Sequence, residues 1–109
     1  MKRFHVLLVA GLLSAPLLAS AARVVSDWGK ITFIGTSSAA DALGVTSTAP
    51  TVNPGCPTLN AGYSTDAGDP GRALHHSVLM AAFLNNREVQ IVADGCAFNK
   101  PRIISVIVR

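Results

Sequence analysis

A mainly β domain with a single helix is predicted by three features of this sequence. Short runs rich in β-branched residues alternate with Gly, Pro and Asn turn signals, one segment carries apolar residues at helical spacing, and two cysteines stand in a chain that opens with an export signature. The 109 residues, half of them apolar, suffice for one small domain and exclude a multidomain enzyme. The apolar fraction is too high for intrinsic disorder, and nine unperiodic glycines exclude a collagen-like chain.

The export signature occupies residues 1–22. Lys2 and Arg3 form a positive start, residues 4–18 are mostly apolar, and Leu18-Ala19-Ser20-Ala21-Ala22 supplies the small residues that a signal peptidase requires. Cleavage is expected after Ala21 or Ala22, leaving a single domain over residues 23–109. The apolar stretch is shorter than the roughly 20 residues that cross hydrocarbon and is interrupted by Ser14 and Pro16, so no stable membrane insertion is expected. The first cysteine is Cys56, far from the cut, which argues against a lipid anchor there. The expected location is the periplasm or the exterior.

Processing removes Lys2 and Arg3 and leaves seven Lys and Arg against six Asp and Glu, so the net charge falls from +3 to +1. The remaining cations are scattered from Arg23 to Arg109 without a cluster, so nucleic acid is not expected as a partner. An oxidising compartment makes a Cys56–Cys96 disulfide the expected use of the two cysteines. Without a C-x-x-C spacing, neither a thioredoxin-like centre nor a zinc knuckle is indicated.

Along the mature chain, residues 30–35 read as a strand with Ile31 and Phe33 on one face, and residues 43–48 as a weaker one after a bend at residues 39–42. Three prolines between Ala49 and Pro57 make that segment a stiff loop, with Cys56 on it. Residues 58–63 are a weak third strand, interrupted by Asn60 and Gly62. Asp69-Pro70 signals a helix over about residues 70–85, with Asp69 as its cap and Pro70 in its first turn. Leu74, Val78, Ala81 and Ala82 recur at helical spacing, widened by Leu79 and Phe83, so the helix is expected to pack on the sheet through that stripe. Asn85-Asn86 offers a left-handed stop. Two strands follow: residues 89–93, with Val89, Ile91 and Ala93 on one face, and residues 102–108, apolar on both faces and expected to be central. Asp94-Gly95 and Asn99-Lys100-Pro101 read as turn material in a loop of several residues between them, stapled near its base by Cys96.

The order β-β-β-α-β-β is that of an OB-fold, a five-stranded Greek-key barrel with a helix between its third and fourth strands; a curled α+β sheet is the alternative. Residues 79–91 (LMAAFLNNREVQI), Asp94-Gly95-Cys96 and Pro101-Arg102-Ile103-Ile104-Ser105-Val106 resemble the B subunits of subtilase cytotoxin and typhoid toxin, of the AB5 type, over about the C-terminal third. That resemblance implies an exported OB-fold that assembles into a homo-oligomeric ring, binds host glycans and accompanies a toxin-like companion subunit. The chain departs from the family in being shorter and in having one potential disulfide, and no sugar-contacting position of the family carries over to a residue here.

Glycan binding asks for aromatic platforms beside polar groups, and Trp28 and Tyr63 are the candidates with a polar handle. The alternative places Trp28 under the barrel and Tyr63 at the helix end. His75, His76 and Ser77 lie together on the helix, but neighbouring helical histidines point about 100° apart and no H-E-x-x-H or G-x-S-x-G context exists. Neither catalysis nor a metal or other cofactor is therefore expected; His76 is placed on the solvent side of the helix and His75 at the barrel rim, with a pH response conceivable for both. The sequence points to an exported module for a glycan or protein ligand, with a periplasmic structural or inhibitory protein that binds another envelope protein as the alternative.

Overall fold

The computed structural model describes residues 23–57 and 62–109, so the leader and most of the weak third strand lie outside the described residues. Among the described residues six strands and one helix follow in the order β1 (Val24–Val25), β2 (Gly29–Thr36), β3 (Leu43–Ser47), β4 (Tyr63–Ser64), α1 (Arg72–Leu84), β5 (Glu88–Ala97) and β6 (Lys100–Val108). The chain is mainly β, as its sequence predicts. The sheet order is β1-β5-β2-β3-β4-β6, and β5 also pairs with β6, so the pairings return to the strand they left. All are antiparallel except β4 with β6, which run parallel through Ser64 and Arg102. The two-residue β1, not foreseen as a strand, pairs with β5 at Ala93 and Val92.

Ile31, Val45, Tyr63, Leu79, Ala82, Val89, Ile91, Ala93 and Ile103 form the core. The predicted period-2 face of β5 is therefore the inner one. In β2 the alternation fails: Ile31 faces Ser47 but Phe33 already faces Thr46, so Thr32 is an extra residue in a β-bulge. The bulge turns two successive residues outward, and Ile34 rather than Phe33 joins Ile31 against the core.

The helix begins two residues later than predicted, with Gly71 rather than Asp69 at its cap and no side chain bonded there. The Asp69 carboxylate is engaged elsewhere, accepting a hydrogen bond from Arg102 Nη1 at 3.0 Å. At the other end, Asn86 has φ 54°. Its N–H donates to the Phe83 carbonyl, and that of Arg87 to Ala82, the pair of bonds that closes a helix through a left-handed residue. The inward face is rotated from the predicted stripe: Leu79 and Ala82 are buried, whereas Leu74 is 68 % exposed.

Strands β5 and β6 run longer than predicted because Asp94-Gly95 does not form the turn. The register from Ala93↔Ile103 to Cys96↔Pro101 spans three steps against two, and Gly95 (φ 69°) absorbs the extra residue as a bulge within β5. The hairpin instead turns on two residues, Phe98 and Asn99, both at positive φ (52° and 64°). Strand β6 has neighbours on both sides, as a central strand should, but Ile107 and Val108 at its end are exposed.

The Cys56–Cys96 disulfide is formed, with 5.8 Å between the Cα atoms, and joins the proline-rich loop to β5. Asn53 presets that loop: its Oδ1 accepts the N–H groups of Gly55 and Cys56, and its Nδ2 donates to the Cys56 carbonyl.

Candidate functional site

A cleft of about 310 Å³ opens between the end of β2, the β2–β3 turn and the β5–β6 turn. Phe33 and Phe98 stand on its walls, 57 % and 56 % exposed. Local backbone rules produce both. The β2 bulge faces Phe33 outward, and its ring lies against Gly35, where an added Cβ would stand 2.9 Å from two ring carbons. Phe98 occupies the first position of a turn whose positive φ favours Asn or Gly, at a cost of about 1–2 kcal/mol for a bulky L-residue. A strained backbone that displays an aromatic ring at a cleft mouth is the kind of outlier that marks a functional position.

The rest of the cleft lining is mixed. Leu43, Gly44 and Ser64 line it, and Lys100 extends across them so that a Cβ on Gly44 would lie 3.8 Å from its Nζ. Among the described residues no carboxylate lies within ion-pair distance of Lys100. The walls thus combine two apolar rings with an ammonium group and hydroxyls, the composition of a site that holds a ligand by stacking and orients it by a few polar contacts.

Behind the cleft lies a polar cluster tied to it through Leu43. The Leu43 N–H donates to Thr65 Oγ1 at 2.8 Å, and the Thr65 N–H donates to the Leu43 carbonyl at 2.9 Å. Thr65 Oγ1 is also 2.7 Å from His76 Nε2. Of the two groups bonded to Oγ1, only Nε2 can accept its proton, an arrangement that requires neutral His76 to carry its own proton on Nδ1. That nitrogen faces Asp41 Oδ1 at 3.9 Å, while the other Asp41 oxygen pairs with Arg72 Nη2 at 2.8 Å. Arg72 Nη1 also donates to the Ala67 carbonyl. His76 therefore faces the sheet, not solvent as predicted, because the helix rotation that buries Leu79 turns position 76 to the same side.

The Thr65-His76-Asp41 chain has the residue types of a nucleophilic triad but not its accessibility. Thr65 is 0 % exposed, so its hydroxyl offers no path to a substrate, and Asp41 is held by Arg72. What the cluster does chemically is keep one imidazole neutral. Burial lowers the His76 pKa below its ordinary 6.5, against the pull of Asp41 and with help from Arg72 and His75. The unfolded chain thus takes up a proton before the folded one. The stability supplied by this site is complete above pH 6.5 and is lost as pH falls below it through the lowered folded value. Thermal melts between pH 7.5 and 5 should show this loss, and His76→Gln should flatten it.

Of the aromatic candidates, Tyr63 is corrected. It is 0 % exposed, and its hydroxyl accepts the Val52 N–H at 2.9 Å. Burial pushes its pKa up, so the phenol stays neutral and its ring fills the core with no face for a ligand. Trp28 is half-buried, and the Arg109 guanidinium lies 4.3 Å from its ring centroid, covering one face by a cation–π contact. Neither belongs to the cleft. Sequence reasoning missed Phe33 and Phe98 as surface groups; the available signal was an aromatic residue beside Asn99-Lys100 in a turn, where small polar residues are usual. His75 lines a separate shallow groove with Asp69 and Arg102.

Among the described residues no group of three or more His, Cys, Asp or Glu side chains is arranged to hold a metal ion, and no helix is long and apolar enough to cross a membrane. Comparison of the chain with protein-family models, curated proteins and solved structures gave no match.

Proposed function

We propose that the chain is an exported, non-catalytic binding module, an OB-type barrel that takes a glycan or protein ligand in the cleft between the β2–β3 and β5–β6 turns. Support for the barrel comes from the circuit of strand pairings, from the parallel β4–β6 pair and from the position of the helix between β4 and β5. In OB-folds the corresponding two loops flank the face that binds oligosaccharides and oligonucleotides. The observation that carries the proposal is the pair of exposed phenylalanines lining one cleft with Lys100, one of them displayed at the expense of backbone strain.

A glycan array probed with the exported protein, and with Phe33→Ala and Phe98→Ala variants, tests it. Each truncation is expected to weaken binding by about tenfold. Stability should change by no more than about 0.5 kcal/mol, because both rings are exposed. Uniform silence of the wild-type protein would remove the glycan version. The reading would then move to an envelope protein as ligand, which the exposed apolar side chains of Met80, Phe83 and Leu84 on α1 favour.

A further inference from the structure

We propose that His76 is an acid-sensitive latch on the cleft, so that ligand is held at neutral pH and released when the surroundings acidify. The proposal rests on the cleft being the ligand site, and it adds how that site is regulated.

The latch has few parts. Leu43 is both a wall of the cleft and the first residue of β3, and its amide is held by the Thr65 hydroxyl. Thr65 follows Ser64, another lining residue, so the two walls meet at the Leu43–Thr65 pair of hydrogen bonds. Neutral His76 completes the pattern by accepting the Thr65 proton at Nε2. The Thr65 hydroxyl then has both a donor and an acceptor.

Protonation breaks the match. With Nε2 carrying a proton, the two lone pairs of the buried oxygen take the imidazolium and the Leu43 N–H, and the Thr65 hydroxyl proton loses its acceptor. An unmatched buried hydroxyl is costly, and the Thr65 hydroxyl regains an acceptor only by turning, which takes its lone pairs off the Leu43 N–H at the end of the β2–β3 turn. The charges around His76 respond as well. Asp41, on that turn, stands 3.9 Å from Nδ1 and is drawn toward the new positive charge. Arg72 and His75, the other titratable or charged groups facing His76, sit on its own helix and repel that charge. Thr65, the group facing it from the segment after β4, is uncharged. A proton on His76 thus displaces Asp41 and Leu43 together, and with them the Ala42–Leu43 wall.

The test measures the latch and the ligand separately. In the exported protein, the hydrogen-exchange protection factor of the Leu43 amide and the His76 ring resonances are followed by NMR from pH 7.5 to 5. The expected result is a fall in Leu43 protection of about tenfold or more, with a midpoint matching His76 titration. His76→Gln should abolish the transition, and Asp41→Asn, an exposed change with little risk to folding, should move the midpoint to lower pH. Leu43 protection that stays constant, or that changes equally in His76→Gln, would overturn the latch whether or not a ligand is known. The glycan array is then run at pH 7.5 and 5. Signals present at pH 7.5 should fall by about tenfold at pH 5 in the wild type and persist in His76→Gln. Equal signals at both pH values would refute release, and no signal at either pH would refute the glycan site while leaving the amide measurement to decide the latch.

Discussion

Replacing Cys56 and Cys96 together by alanine is expected to lower the unfolding free energy by about 4 kcal/mol. The bridge closes a loop with a sequence separation of 40, and restricting the unfolded chain over that length accounts for an effect of this size. For a domain of this length it corresponds to a melting temperature lower by about 15–30 °C. Against a total stability of about 5–15 kcal/mol, a large part of the margin resides in one covalent bond. The native side adds little strain to offset this, because the Asn53 side chain already holds the turn that presents Cys56 to β5. Calorimetry of the double variant beside the oxidised and the reduced wild type measures the effect. A reduced wild type that melts with the double variant would assign the loss to the bridge, whereas an unchanged melting temperature on reduction would show that the bridge contributes nothing to stability.

The second large effect is expected at Leu79. Leu79→Ala should cost about 2–5 kcal/mol, since the side chain is 0 % exposed and belongs to the cluster that joins α1 to the sheet. Leu74→Ala, the same chemical change five residues earlier on the same helix, should cost no more than about 0.5 kcal/mol because Leu74 lies in solvent. Urea titration of the two variants reads the difference directly from their midpoints. Equal losses would mean that the helix packs through the whole predicted stripe, Leu74 included, and not through the narrower face observed.

That pair of leucines shows how far periodicity reaches. Both obey helical spacing, and the stripe read from the sequence, Leu74, Val78, Ala81 and Ala82 widened by Leu79 and Phe83, is broader than the face that is buried. The sheet decides between them. Turning Leu79 into the cluster with Ile91 and Ile103 brings Arg72 and His76 to the inner side, where Asp41 pairs with Arg72 and Thr65 with His76. A polar residue on an inward helix face looks like a violation of pattern until its partners, contributed by distant segments, are in place. The candidate site was hidden for the same reason. Phe33 reads as a core residue of an alternating strand, and it becomes a cleft wall because Thr32 is an extra residue opposite β3. Asp94-Gly95 reads as a turn, and it becomes a bulge because pairing with β6 continues past it to Ala97. With Phe98 thereby moved into the two-residue turn, the second wall of the cleft appears.

Local chemistry was enough to specify the mainly β character, the single helix with its left-handed stop at Asn86, the stiff loop bearing Cys56 and the pairing of two lone cysteines, since each depends on residues close in sequence or on a choice with one answer. The tertiary structure alone decided which faces point inward, where the bulges fall, and that Phe33, Phe98 and Lys100 line one cleft near a half-buried histidine. Bulge position and helix rotation are set by contacts between strands and helix far apart in the chain, and a one-residue shift in either exchanges core for surface.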